Sequence, residues 1–297
     1  MIQFTCIKKD CFFICTQVHQ KGKNMKRKRV TEVMPFLTPL RSWQKNLFYQ
    51  MKMHLSKTPY ARHIGERLPF TVAKSKTTMI NPDSGQDIIY QENKVDNLKL
   101  ISKTMNRILI KPGETFSFCY LAEYAKKYGK YKDGLVLVNG VIVPRKGGGV
   151  CHISNLLYYL FLHTPLTIVE RHGHDIKSFP DPDSNEPFGI DATINSGWLD
   201  LKVRNDTPNI YQICIDFDTT YMYGKILCDR EAKTFSTIKN GNIKYVRQDG
   251  NIYEIAEVIK VEQDKTTKEK ISETKLYDEK VRITYDLPKN IKIEEEK

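Results

Sequence analysis

Leu135-Val136-Leu137-Val138-Asn139-Gly140-Val141-Ile142-Val143 and, four residues on, Gly147-Gly148-Gly149-Val150-Cys151-His152-Ile153-Ser154-Asn155 decide the fold. The first stretch is two β-branched runs around Asn-Gly, the pair that tolerates the positive φ angles of a type I′ turn, and it predicts a β-hairpin. The second delivers a cysteine to Leu156-Leu157-Tyr158-Tyr159-Leu160-Phe161-Leu162, which is apolar nearly all round. Such a run predicts a helix buried on every side. Thr164-Pro165 ends it, because proline cannot continue a helix.

Working outward, Val95, Leu98, Ile101 and Met105 recur at helical spacing and predict an amphipathic helix over about 94–107. Lys111-Pro112-Gly113 stops it, and Thr115-Phe116-Ser117-Phe118 reads as a short strand. Downstream, Leu166–Val169 starts a strand that runs into Glu170-Arg171-His172-Gly173-His174. Asp191–Ile194, Trp198–Val203 and Tyr211–Ile215 read as further strands, with turns at Asn195-Ser196-Gly197 and Asn205–Pro208. Short connections between them imply antiparallel pairing. Beyond about 229, strands alternate with Lys/Glu-rich turns, and Asn240-Gly241 and Asp249-Gly250 mark two hairpins. No chemistry is read in that segment.

The expected fold class is therefore α+β. It has an antiparallel β-rich core, a buried helix after the Gly-Gly-Gly-Val-Cys turn, N-terminal helices and a C-terminal β appendage. The expected divisions are 1–60, 61–228 and 229–297.

The formal net charge is +12, but residues 1–60 hold 12 basic and 2 acidic residues while 61–297 hold 35 and 33. Basicity is thus a property of the N-terminal arm, which suits an anionic surface. The nearly neutral body lacks a recognition helix or aromatic-basic interleaving, and no nucleic acid is expected. Within 42–55, Trp43, Leu47, Met51 and Leu55 fall four apart with Phe48 beside them, which predicts an amphipathic helix. It is read first as a helix packed on the body. The second reading, for residues 26–55, is contact with a membrane surface.

No stretch approaches the ~20 apolar residues of a spanning helix. The apolar run Cys11–Cys15 is shorter than a secretory core needs, and no cleavage site follows. Met25, opening Met-Lys-Arg-Lys-Arg, reads as a plausible start, in which case the net charge is +9. The expected location is the cytoplasm or the cytoplasmic face of the membrane. The seven cysteines form no CxxC pair and no disulfide framework.

The chemistry concentrates at Cys151. Three glycines allow close backbone approach, and a helix N-terminus favours thiolate, the nucleophilic form. Gly148 and Gly149 with His152, Ser154 and Asn155 are the expected substrate-binding set, joined by Arg171 for a substrate carboxylate. His172 and His174, two apart on one strand face, are alternative bases. Asp191 is the preferred orienting acid, and Glu170 and Asp175 are rivals. A zinc site from His172 and His174 with Cys151 or His152 ranks below this reading, since the ligands follow no recognised zinc spacing. No metal or cofactor is assigned.

At these residues the chain resembles the VanW family, named after an accessory protein of some glycopeptide-resistance clusters. The matching pieces are Pro112–Phe118, the Asn139-Gly140 hairpin, Gly147–Cys151 with Ser154-Asn155-Leu156, Glu170–His174, Asp191-Ala192-Thr193 and Asp200-Leu201-Lys202. Lys26–His54 is similar to the N-terminus of the short, resistance-cluster type. Many members carry Gln where this chain has His152. The resemblance implies a link to the cell envelope and, through some clostridial envelope proteins, to L,D-transpeptidase activity that builds 3-3 peptidoglycan cross-links. It implies Cys151 as acyl-enzyme nucleophile, assisted by His172 or His174, with peptidoglycan stem peptides or precursors as substrates. The alternative is a non-catalytic accessory protein that binds such precursors or a resistance-pathway partner.

Overall fold

A computed structural model describes Met34 and residues 37–81, 85–138, 141–178 and 186–295. Cys6, Cys11, Cys15, Met25 and the Asn139-Gly140 turn lie outside these residues. Contacts divide the chain into Met1–Arg41 and Ser42–Lys297. In the first unit only Met34 and 37–41 are described, where helix α1 (Thr38–Leu55) begins. The second unit holds every sheet and the chemistry-bearing residues.

The fold of this second unit is α+β. Helix α2 (Ile88–Met105) starts at Asp87, whose carboxylate accepts the Ile89 N–H at 3.0 Å. It begins six residues before the apolar period predicts. Helices α3 (Phe118–Ala122) and α4 (Cys151–Leu162) complete the set among the described residues. One antiparallel sheet has the order β1 (His63–Ile64), β3 (Ile108–Ile110), β10 (Tyr211–Phe217), β11 (Tyr221–Cys228), β2 (Phe70–Thr78). Leu98, Ile101 and Met105 of α2, Ile153, Leu157 and Phe161 of α4, and Ile213, Met222 and Ile226 of the sheet share one core. Gly224 of β11 lies under Leu156 and Leu160, so that α4 seats closely on the sheet. Truncating a fully buried side chain such as Phe161 to Ala costs ~3–5 kcal/mol.

A three-stranded sheet has the order β4 (Thr115–Ser117), β9 (Lys202–Arg204), β7 (Thr167–Glu170). The hairpin is present as β5 (Asp133–Val138) and β6 (Val141–Lys146), with Val138 opposite Val141. The glycine run packs on this hairpin: a Cβ at Gly148 would collide with the Gly134 carbonyl.

The remaining sheet holds β12 (Thr234–Gln248), β13 (Asn251–Asp264) and β14 (Lys270–Ile283), antiparallel in sequence. Its edges are β15 (Ile293–Glu295) and β8 (Ile176–Lys177), both parallel to their neighbours. Asp249-Gly250 turns the first hairpin with φ of 49° and 75°. Asn240-Gly241 does not turn: β12 runs through it with an irregularity, and the Asn240 amide donates to Phe188 O and Glu257 O. A side chain that finds partners inside the sheet no longer marks a reversal.

Two more expectations change. Arg171–His174 and Asp191–Ile194 are not ladder strands but extended coil, and of Trp198–Val203 only Lys202 and Val203 enter β9. The reason is competition for backbone groups. Ala192 N–H donates to Asn155 Oδ1 at 2.8 Å, Ala192 O accepts Ser154 Oγ at 2.6 Å, and Asp191 O accepts Arg171 Nε at 2.5 Å. Side chains satisfy what a neighbouring strand otherwise would.

Candidate active site

The turn Gly147–Val150 places Cys151 at the first residue of α4, where the thiol is free and partly exposed. Asn97 of α2 holds this turn. Its amide donates to Lys132 O at 3.0 Å and Gly148 O at 3.1 Å, and its oxygen accepts the Lys132 N–H at 2.8 Å. Gly149, at φ +86°, lies against the Lys94 side chain. Gly148 and Gly149 therefore serve packing contacts.

His174 reaches Cys151. Its ring hydrogen-bonds Asp191 and lies near enough to the thiol for Cys151 to help hold a proton on it. Nδ1 pairs with Asp191 Oδ2, which leaves Nε2 as the nitrogen for sulfur. Asp191 Oδ2 also accepts the His174 backbone N–H at 2.9 Å, so one carboxylate fixes both the ring and the chain that carries it. Burial opposes a charge on His174, but the bond to Asp191 and the nearness of Cys151 outweigh it and push its pKa up to about 10. Burial likewise opposes ionisation of Asp191. Its bonds to His174 and the charge of Arg171 prevail and hold the carboxyl below its ordinary range.

Arg171 does not point at open space. Nη2 donates to Asp191 Oδ1 and Nη1 to Glu279 Oε2, each at 2.6 Å. The guanidinium lies 5.1 Å from the Tyr158 ring and 5.0 Å from the Tyr277 ring. Tyr158 donates to Tyr277 at 2.9 Å, and Tyr277 to Gly189 O at 3.2 Å. A chain of contacts thus runs from Glu279 on β14 through Arg171 and Asp191 to His174 and Cys151. Sequence reading assigns the C-terminal strands no chemistry, and no local signal singles out Glu279, Tyr158 or Tyr277. Only the tertiary pairing does.

Ser154 and Asn155 join the site through their bonds to Ala192. Ser154 Oγ also contacts Cys151 O at 3.0 Å. Cys151 Sγ itself lies 3.9 Å from Ile194 O.

His172 and His152 turn elsewhere. His172 Nε2 lies 3.1 Å from Glu170. Glu170 in turn accepts Lys202 Nζ at 2.7 Å and the Asp200 N–H at 3.1 Å. Glu170, Lys202 and Arg204, with Lys57 and Tyr60, line a separate cavity of about 530 Å³. His152 Nε2 lies 2.9 Å from Thr77 Oγ1 on β2, and burial, reinforced by Lys94, pushes its pKa down to about 3. It is a neutral imidazole tied to β2. Asp175 is exposed, and its carbonyl accepts the Arg282 N–H. Among the described residues, no group of three His, Cys, Asp or Glu side chains is arranged to hold a metal ion. Among the same residues, no helix is long and apolar enough to cross a membrane.

Residues 93–227 match the family described as VanW like protein. The chain is 47% identical over 272 residues to the vancomycin B-type resistance protein VanW of Enterococcus faecalis (strain ATCC 700802 / V583). That alignment covers 91% of this chain and 99% of the relative. It is also 30% identical over 125 residues to the uncharacterized protein YoaR of Bacillus subtilis (strain 168), covering 41% of this chain and 40% of that one. No solved structure matches the chain significantly. The matched family segment contains Cys151, His174 and Asp191 and stops short of Glu279. Near-complete coverage of the enterococcal protein settles the wider assignment: the chain belongs to the VanW family.

Proposed function

We propose that this protein is a cysteine acyltransferase of the L,D-transpeptidase type, acting on peptidoglycan stem peptides or their precursors in a vancomycin-resistance setting. The observation that carries the reading is His174, hydrogen-bonded to Asp191 and set beside Cys151. Thiol, imidazole and carboxylate in series are the arrangement nucleophilic acyl transfer requires. The resistance setting comes from the printed name of the enterococcal relative.

In the first step the Cys151 sulfur attacks an amide carbonyl carbon of the stem, and the thiol proton passes to His174. The C–N bond breaks, a thioester forms, and His174 returns the proton to the leaving amine. In the second step an acceptor amine attacks the thioester, His174 takes its proton, and the thiol is regenerated. Water in place of the amine gives hydrolysis. Asp191 keeps the His174 ring oriented and stabilises its cationic form through both steps. With the His152 and Ile153 N–H groups bonded to Gly149 O and Val150 O, the Cys151 N–H is the donor proposed for the developing oxyanion.

Intact-mass measurement with a tetrapeptide stem tests the proposal. An adduct of the mass of the stem acyl group, located on Cys151 and absent from Cys151→Ala, is expected. Saturable stem binding with no adduct at any pH, and no loss on Cys151→Ala, would instead favour a non-catalytic accessory protein.

A further inference from the structure

Helix α1 presents its faces the wrong way round for a helix that merely covers a core. The side packed on the body carries Asn46, Tyr49, Gln50 and Met53. Only Met53 of these is fully buried and apolar, and Asn46 Oδ1 and Gln50 Oε1 are buried with no hydrogen-bond partner among the described residues. The opposite side carries Trp43, Leu47, Phe48, Met51 and Leu55, which are 43% to 79% exposed. A helix that buries amides and displays its leucines has its apolar stripe directed at something outside the body.

The neighbouring loop adds an exposed aromatic ring beside the helix. Asn195 and Leu199 bridge a tight turn whose Gly197, at φ +97°, lies against the α1 backbone at Lys45 and Asn46. That close approach sets Trp198 beside the helix, where Lys45 Nζ lies 4.7 Å over its ring. Trp198 is 54% exposed. Both tryptophans of the chain are solvent-exposed, Trp43 on the stripe and Trp198 against Lys45 at its flank. Charge complements this face. Residues 33–65 contain no aspartate or glutamate, whereas Lys45 and Lys52 flank the stripe and Lys57 and Arg62 follow. Tryptophan belongs at a lipid headgroup boundary, and lysine beside an apolar stripe suits anionic lipid.

We infer that the exposed face of α1 with Trp198 docks on an anionic membrane surface, leucines and tryptophans in the headgroup boundary and lysines toward lipid phosphates. The loop bearing Trp198 follows Ile194, whose carbonyl faces Cys151. Docking there brings the bilayer to the same segment that walls the thiol. Acyl acceptors or donors anchored in lipid are the substrates such an arrangement serves. The docking itself stands apart from the catalytic reading, and its test does not use activity.

The full chain is titrated with vesicles of phosphatidylcholine containing a quarter phosphatidylglycerol, and separately with phosphatidylcholine alone. Because Trp43 lies on the stripe and Trp198 beside Lys45 at its flank, intrinsic emission reports on docking. A blue shift with the anionic vesicles, reversed by salt and weaker by at least ~10-fold with phosphatidylcholine alone, is expected. Leu47→Glu with Met51→Glu abolishes the shift while the thermal unfolding midpoint holds. Lys52→Gln, which leaves the apolar stripe untouched, weakens binding about five-fold. Three results overturn the inference. One is no shift with either vesicle. Another is equal binding to both. The third is a concentration-dependent dimer in sedimentation that the double variant dissolves, which gives the stripe to a second copy of the chain.

Discussion

Cys151 and Cys119 make an instructive pair. Both sit near the start of a helix and near an aspartate, and neither is disulfide-bonded. Cys119 is buried, its Sγ directed at Leu199 O at 3.3 Å, and its neighbour Asp200 is fully buried. Asp200 accepts Ser117 Oγ at 2.5 Å, Tyr49 OH at 2.9 Å and the Cys119 N–H at 2.9 Å. Burial pushes the Cys119 thiol and the Asp200 carboxyl up, away from their charged forms. Around Cys151 the aspartate is held charged by His174 and Arg171, and the imidazole stands between it and sulfur. A carboxylate near a thiol is thus compatible with either role. What separates the two is the histidine and the path to solvent.

Removing the histidine should erase the difference most completely. His174→Ala is expected to lower acyl transfer by ~10²–10⁴-fold, read as the rate of adduct formation on Cys151. In the intact protein, iodoacetamide should label Cys151 at least ~100-fold faster than Cys119, measured by peptide mapping after short exposure. Comparable labelling of both cysteines would end the contrast. Asp200→Ala leaves Ser117, Tyr49 and a buried N–H without their acceptor and should cost ~2–4 kcal/mol in denaturant unfolding, with Cys151 labelling in the folded fraction unaffected. A smaller effect, ~3–10-fold on adduct formation with stem binding preserved, is expected for Glu279→Gln, because Arg171 keeps its bonds to Asp191.

The smallest effect concerns pH. His174 has a folded pKa raised above the ordinary imidazole value, so its contribution to stability is complete below about pH 6.5 and is lost as pH rises through about 10. Asp191 is depressed, so its contribution is lost instead as pH falls through its lowered value. Unfolding midpoints of wild type and His174→Ala should therefore converge at high pH. Midpoints that stay equally far apart from pH 6 to pH 11 would contradict the assigned proton.

Much of this contrast is legible in the sequence, and the remainder fails for identifiable reasons. The Leu135–Val143 hairpin, the Asp249-Gly250 turn and the apolar Leu156–Leu162 helix follow from period and turn chemistry, which are local. Cys151, His174 and Asp191 are all nameable from sequence as chemistry-bearing residues. The choice of His174 over His172 is not, because two residues sharing a strand-like period differ here only in which acid lies opposite. Glu170 meets His172 and Asp191 meets His174, and neither pairing leaves a trace in spacing. Asn240-Gly241 carries the composition of a turn and is overruled by hydrogen bonds to Phe188 and Glu257. Amphipathicity locates α1 correctly but not its facing. Periodicity says that a stripe exists, while the body decides which side it receives.

The bond between Arg171 and Glu279 spans 108 residues of chain. A ribosome releases Arg171 well before it releases Glu279, and β14 cannot pair with β13 until then. The nascent chain therefore carries its cysteine for a time without the clamp that steadies the acid behind His174. The brace on Asp191 is thus completed only late in synthesis, and a protein truncated before β14 would retain every residue of the matched family segment yet lack that brace.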